Sequence, residues 1–323
     1  MKAIVLGEGG LVLGDVPVPQ PKPNEVLVRV RACSLNRADL IITGGRKHGN
    51  QGGPGAIPGL EWAGEVSEIG ADVPPVVKPG DRVMCTGSGG YAEYAVTDWG
   101  RVAPISTAMS FEEAATLPLA LQTMHDALAT NGHLAVGETV LIQGASSGVG
   151  LMGLQIAKLK GARLVIGTAR NADHRARLGD FGADVTLDPL DPAWPEHALK
   201  ATGGKGVDLI IDHVSAGVMN QNMRAAAVLG RIINVGRLGG FTGEFDFDLH
   251  ALKRISYIGV TFRTRSVEEV RTINRLMRED LWDAVTAGRL RLPIDRTYRL
   301  DQAADALAHM HANAHFGKIV MTV

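Results

Sequence analysis

Residues 139–161 restrict the fold more than any other segment. An apolar run, Thr139-Val140-Leu141-Ile142-Gln143, meets a string of small residues, Gly144, Ala145, Ser146, Ser147, Gly148, Val149 and Gly150. An amphipathic stretch carrying Leu151, Leu154, Ala157 and Leu159 follows and stops at Gly161. A buried strand that turns into a helix through residues without bulk lets the backbone approach a pyrophosphate. The charge of that group meets the free N–H groups and the positive end of the helix. A glycine-rich loop alone also serves as a plain structural turn, so its context decides the reading. Here six strand-like runs, 138–143, 163–168, 184–187, 207–213, 231–236 and 256–260, alternate with helical stretches. That is the pattern of βαβ units over a parallel sheet built from two mononucleotide-binding halves. The expectation is a doubly wound α/β domain binding a dinucleotide at 144–150, with Val235 and Gly236 at the ligand-facing carboxyl end of the fifth strand.

The end of the second strand bears on which dinucleotide. A carboxylate about 20 positions beyond the glycines holds the ribose of NAD; Thr168 stands near that position, and the nearest acid beyond it is Asp173. Arg170, His174 and Arg175 follow instead. They can hold a 2′-phosphate through charge-assisted hydrogen bonds, or they are the solvated start of a helix. The first reading makes the cofactor NADPH.

Up to residue 121 the chain is mostly β. Val26, Val28 and Val30 alternate with Leu27, Arg29 and Arg31, further strands fit 62–69, 81–85 and 91–96, and Lys78-Pro79-Gly80-Asp81 reads as a turn. Segment 44–59, rich in Gly and Pro, reads as a mobile surface loop. Beyond the parallel-sheet region, 267–288 and 300–312 read as helices and 318–323 as a strand. The expected organisation is 1–121 as the first part of a catalytic domain, 122–261 as the dinucleotide domain and 262–323 as a return to the first. At 323 residues and 45% apolar composition the chain can fill two cores. Its 33 Lys and Arg against 34 Asp and Glu supply no net charge to draw it to nucleic acid or an anionic membrane. No apolar run reaches the roughly 18 residues of a membrane span. The four apolar residues between Lys2 and the Gly7-Glu8-Gly9 run are too few for a secretory leader, and Cys33 and Cys85 cannot build a disulfide framework or a four-cysteine zinc site. A cytoplasmic location is expected.

Several further motifs occur in order: Ala32-Cys33-Ser34-Leu35-Asn36-Arg37-Ala38-Asp39, Pro58-Gly59-Leu60-Glu61-Trp62-Ala63-Gly64, Lys78-Pro79-Gly80-Asp81-Arg82-Val83, Gly90-Tyr91-Ala92-Glu93-Tyr94 and Gly317-Lys318-Ile319-Val320. With the 144–150 loop, they make the chain resemble, over essentially its full length, the zinc-independent medium-chain dehydrogenases/reductases of the quinone oxidoreductase (zeta-crystallin-like) type. The resemblance implies a GroES-like, mostly-β catalytic domain wrapped around a Rossmann domain, and a homodimer or homotetramer. It puts Asn36 and Thr123 beside the nicotinamide. It gives Arg265 two readings, a contact to acceptor oxygen or to the NADP phosphate.

In zinc-dependent relatives the metal ligands fall where this chain has Asn36, Leu60 and, approximately, Leu119, so the resemblance implies no metal here. The segment between Cys85 and Tyr91 is too short and cysteine-poor for a structural zinc lobe. His309, His311 and His315 read as a solvated face, with 311 and 315 on one side of a helix. Without a Lewis acid a delocalised acceptor is favoured. A quinone leaves a phenolate-like anion of pKa about 10, whereas a simple ketone leaves an alkoxide near that of water, roughly 15.7. That gap of about 6 units is worth roughly 8 kcal/mol. Where many relatives carry tyrosines after the Asn-x-x-Asp segment, this chain has Ile41 and Lys47. Lys47 or His48 can donate in their place, or Lys47 is simply solvated; His125 reads as a packed imidazole. The expected activity is quinone reduction. An enone or enoyl-thioester reductase, or an NADPH-binding structural or RNA-associated protein, are the alternatives.

Overall fold

The computed structural model describes residues 1–7, 10–49 and 51–323, so Glu8, Gly9 and Asn50 of the segments discussed above lie outside the described residues. The chain divides into two compact units, Met1–Leu119 with Phe262–Val323, and Ala120–Thr261.

The second unit is built on six parallel strands in the spatial order Val185–Leu187, Leu164–Thr168, Thr139–Ile142, Val207–Asp212, Ala226–Asn234, Ser256–Gly259. The first strand in sequence lies at the centre, and every residue of its Thr-Val-Leu-Ile run is buried. Chain order reverses on its two sides, which opens a crevice at the carboxyl ends of the strands. Ser256–Gly259 is one of the two edges, the other being Val185–Leu187, and three of its four residues are exposed. The fifth strand begins at Ala226, ahead of the apolar run at 231. Ala226 pairs with Val207, then the register shifts, with Leu229 at φ +65°, before Leu209 meets Arg231. That irregularity hides the strand's start from period-two reading.

The first unit is organised around the long strand Glu25–Ser34. It pairs antiparallel with Glu61–Ile69, Tyr94–Asp98 and Lys318–Thr322, in a seven-stranded sheet completed by Arg82–Thr86, Val102–Pro104 and Ile294–Arg299. Val26, Val28 and Val30 enter one core with Trp62, Tyr91 and Met321. Arg29 is exposed and Arg31 half-exposed, but Leu27 on their face is buried, so this strand is covered on both sides at its start and the expected alternation holds only for the arginines. Lys318–Thr322 therefore joins a sheet begun almost three hundred residues earlier.

Two expectations need correction. The helix after the turn Leu300–Gln302 spans Ala303–His311, and Asn313 at φ +56° turns the chain away, so His315 shares no helix face with His311. Nor do the three histidines form a solvated face. His309 Nδ1 lies 3.1 Å from the Tyr298 hydroxyl and its Nε2 3.3 Å from Asp295, and its ring stands edge-on to His315. Only His311 is exposed. Segment 44–59 is also tied down among its described residues. His48 and Gln51 exchange backbone bonds, Ala56 O accepts from Leu6 N at 2.9 Å, and Gln51 Nε2 donates to Gly87 O at 3.2 Å.

Gly64, opposite Val30, marks the tightest strand approach: a Cβ there would lie 2.0 Å from Arg29 O. A backbone oxygen cannot swing aside, so Gly64→Ala should cost about 3 kcal/mol or more in denaturant unfolding; an unchanged midpoint would show that the sheet can open there.

Candidate active site

In the second unit, the turn after the central strand is held by a chain of buried polar side chains. Gly144 N donates to Thr168 Oγ1 at 3.1 Å, and the Thr168 hydroxyl donates to Gln143 Oε1 at 2.8 Å. Gln143 Nε2 donates to Asn222 Oδ1 at 2.8 Å, and Asn222 Nδ2 to Asp212 Oδ2 at 3.1 Å. The other Asp212 oxygen accepts from Val214 N and Ser215 N at 2.8 and 2.9 Å. The carboxyl ends of the first, second and fourth strands are thus linked.

The helix Gly148–Leu159 follows, capped by Ser147, whose hydroxyl donates to Gly144 O at 2.9 Å and accepts from Gly150 N at 3.1 Å. Gly144 takes φ +68°, and a Cβ on Gly150 would stand 2.6 Å from Gly144 O. These two glycines are required by the backbone's path. The first amides of a helix have no intrahelical partner, so those of Gly148 and Val149 are the donors such a loop offers to an anion. Ala145, Ser146, Ser147 and Val149 complete the turn, and Val235 and Gly236 follow the fifth strand with both amides on Asp212 O at 2.9 and 3.1 Å.

Arg170 is exposed; its carbonyl accepts from Arg175 Nη1 at 3.2 Å, while its side chain makes no hydrogen bond or ion pair with the described residues. Arg175 is committed locally, to Ala169 O at 2.7 Å and Asp188 at 3.2 Å. His174, half-buried, lies in the helix Ala172–Ala176 between them, and Thr123 is half-buried on Pro118–His125. His125 is buried. One residue that the sequence did not single out is His213, buried at the end of the fourth strand, with Nδ1 2.7 Å from Gln143 O. A carbonyl only accepts, so Nδ1 carries the proton; burial lowers the imidazole pKa, which keeps the ring neutral with Nε2 unprotonated.

In the first unit, Asn36 lies just past the strand Glu25–Ser34, and the register around it decides its surroundings. Ser34 pairs with Glu61 on one side, and Val320 pairs with Ser34 on the other, which brings Lys318 level with Asn36. Lys318 Nζ donates to Glu61 Oε1 at 2.5 Å, Asn36 Oδ1 at 2.9 Å and Leu35 O at 3.0 Å. Glu61 Oε1 also accepts from Ser34 Oγ at 2.6 Å and Asn36 Nδ2 at 2.9 Å, while Oε2 accepts from Leu119 N at 2.8 Å. Lys318 is 5% and Glu61 0% exposed. Both ends of this ion pair have their hydrogen-bonding capacity filled, the condition for keeping charges out of water.

Asp39 Oδ2 accepts from Asn36 N at 2.7 Å and the Tyr91 hydroxyl at 2.9 Å, while its Oδ1 is buried without a partner. Leu60 and Leu119 meet in an apolar cluster with Leu6 and Ile42. Among the described residues no three His, Cys, Asp or Glu side chains are grouped as a metal site. Cys33 and Cys85 are buried, and burial pushes both thiols up, away from nucleophilic use. Lys47 is exposed and forms no hydrogen bond or ion pair with the described residues; Arg265 pairs with Glu269 at 3.2 Å at the start of the helix Val267–Thr286.

Glu61 and Lys318 were written into the motifs above without a role. A signal is present in each: a charge between Leu60 and Trp62, or directly ahead of Ile319-Val320-Met321, needs a partner if its neighbours carry it into a core.

A strand-rich unit closed by a C-terminal segment, together with a doubly wound unit carrying a capped glycine loop, defines a two-part dehydrogenase architecture. Family models agree, matching an alcohol dehydrogenase GroES-like domain over residues 22–107 and a zinc-binding dehydrogenase domain over 148–279. Rat quinone oxidoreductase is 30% identical over 310 residues, spanning 95% of this chain and 92% of that protein. Among solved structures, an NAD-dependent alcohol dehydrogenase is 30% identical with a TM-score of 0.87, each chain fully covered. A mycobacterial protein complexed with NADPH is 27% identical with a TM-score of 0.89, again over both whole chains. The chain belongs to the medium-chain dehydrogenase/reductase family, with quinone oxidoreductases among its relatives, and is an oxidoreductase with a GroES-like domain and a Rossmann-type sheet.

Burial raises the Asp39 carboxyl from 3.8 to about 6, against the hydrogen bonds from Asn36 and Tyr91 and the charge of Lys318. Between those values the unfolded chain ionises while the folded one keeps its proton, so this group's contribution to stability is full below about 3.8 and lost as pH rises through 6. Denaturant unfolding of Asp39→Asn should therefore gain on the parent by about 1 kcal/mol between pH 5 and pH 7. Parallel pH profiles would mean that Asp39 ionises as freely as a surface acid.

Proposed function

We propose that the protein is a zinc-independent, NADPH-dependent reductase that delivers hydride to a quinone. What supports this reading is that the positions the resemblance matches to metal ligands carry Asn36, Leu60 and, approximately, Leu119, the two leucines meeting in an apolar cluster. The residues of the second unit suit a dinucleotide. The amides at Gly148 and Val149 with the tight turn at Gly144 and Gly150 would hold the pyrophosphate, Val235 and Gly236 would border it, and Arg170, with His174 and Arg175, would face a 2′-phosphate. Arg170 is the foremost of the three because Arg175 is already engaged by Ala169 O and Asp188. Thr168 supports the loop with its hydroxyl.

The nicotinamide, when bound, supplies the hydride. Asn36 and Thr123 would line its ring. With the hydride bonding to one quinone oxygen, the π electrons shift through the ring onto the other; Asn36 would meet the oxygen that gains this charge, and a proton from solvent, through Lys47 or directly, completes the hydroquinone. Arg265 would stand over the acceptor or the phosphate. A quinone oxygen, the weaker base, needs only hydrogen-bond donors at this step, which this site has.

As an assembly we propose a homodimer or homotetramer, pairing through the open edge Ser256–Gly259. Beside that edge, Phe245 packs against Phe247, His250 and Tyr257, with Phe247 78% exposed. Light scattering should give at least twice the chain mass, and a monomer would refute it. For catalysis, EDTA-dialysed protein should oxidise NADPH with ortho- or para-quinones. Arg170→Ala should raise KM for NADPH about 10-fold while leaving that for NADH nearly unchanged. Activity confined to enones, to alcohols with NAD, or to zinc-loaded protein would overturn the reading.

A further inference from the structure

We infer that Lys318 and Glu61 are positioning residues that lock the Asn36 carboxamide in one orientation, so that the protein presents an N–H donor, never a carbonyl acceptor, to the substrate oxygen. The inference rests on the placement of Asn36 in the reductase site proposed above, and it assigns a task to a buried ion pair that the reaction itself does not use.

A carboxamide has two nearly isosteric ends, and rotation by half a turn exchanges donor for acceptor. Here its oxygen accepts from the Lys318 ammonium at 2.9 Å and its nitrogen donates to the Glu61 carboxylate at 2.9 Å. The rotated form would set oxygen against carboxylate and N–H₂ against ammonium, two repulsive contacts in place of two charge-assisted bonds. The ion pair therefore selects the rotamer electrostatically. All three Lys318 donors are consumed, and Glu61 accepts four bonds in total. Among the described residues the second Nδ2–H of Asn36 has no partner, and neither does Asp39 Oδ1, whose companion oxygen accepts from Asn36 N. Asn36 retains 9% exposure, the most of the three. A donor fixed before the acceptor arrives is the arrangement that stabilises an oxygen gaining negative charge, because nothing has to reorient as the charge appears.

The test removes the charges together, in Lys318→Met/Glu61→Gln, so that neither buried ion is stranded. A merely structural role would lower Tm and leave kcat of the folded enzyme untouched. The inference requires kcat with the best quinone to fall about 10-fold or more, and Asn36→Ala alone to cost about 100-fold. Placed in the Asn36→Ala background, the double substitution should cost less than about 2-fold, because there is no amide left to orient. The NADPH dissociation constant, read by fluorescence, should stay within about 2-fold throughout. Losses that multiply independently would overturn the inference. Selective ¹⁵N-asparagine NMR supplies a readout that needs no turnover. The Asn36 side-chain amide, assigned by its loss in Asn36→Ala, should show a high order parameter and slow proton exchange in the parent and lose both in Lys318→Met/Glu61→Gln. An unchanged signal would overturn the inference whatever the enzyme reduces, whereas a parent that locks the amide yet reduces no quinone would refute the assigned reaction and leave the locking established.

Discussion

The ion pair between Lys318 and Glu61 is the constraint on which the first unit's arrangement turns. Each charge heads its strand next to buried apolar residues and is almost wholly withdrawn from water. The cost of that withdrawal is met only if the two strands flank the end of Glu25–Ser34 in the observed register. A one-residue slip of either strand would turn its charge to the opposite face. Hydrophobic pairing alone distinguishes such registers weakly, since Ile319, Val320 and Met321 are all buried in any case. A pair of opposite charges distinguishes them strongly, and it does so beside Asn36.

The second unit reaches a comparable precision with neutral groups. Thr168, Gln143, Asn222 and Asp212 pass hydrogen bonds across three strand ends, and the loop amide of Gly144 is one terminus of that series. The loop is therefore set by side chains beneath it as well as by its own glycines. One unit anchors its candidate site with a buried charge pair where two strands flank a third, the other with a buried polar relay where parallel strands end.

Much of this was legible in the sequence, for identifiable reasons. The six parallel strands stood out because a central strand such as Thr139–Ile142 is apolar throughout and bounded by glycines. Boundaries blurred where the backbone departs from regular pairing, as at Leu229. Short helices such as Arg37–Thr43 and Phe247–Lys253 went unread, since seven residues offer too few turns for a 3.6-residue period to show. Helical spacing does not describe the histidines at 309, 311 and 315, because the helix ends at His311 and the chain turns at Asn313 with no glycine to announce it. The glycine loop could be located from local sequence. The Asn36 cluster could not, because Glu61 and Lys318 come together only when strands far apart in the chain pair, and neither local pattern names the other.

The discontinuous make-up of the first unit has a consequence for how the protein is born. Asn36 and Lys318 are 282 positions apart, with the whole second unit encoded between them. During synthesis the Rossmann-type unit is complete, and free to fold, while the strand Glu25–Ser34 still presents an unpaired edge and Glu61 lacks its counter-ion. The nascent chain thus carries a finished dinucleotide fold next to a half-built sheet, exposed to wrong pairing until the segment bearing Lys318 emerges. Closing so long a loop is slow but adds little entropic cost beyond that of a much shorter one. Assembly of the Asn36 cluster thereby waits until the whole second unit has been made.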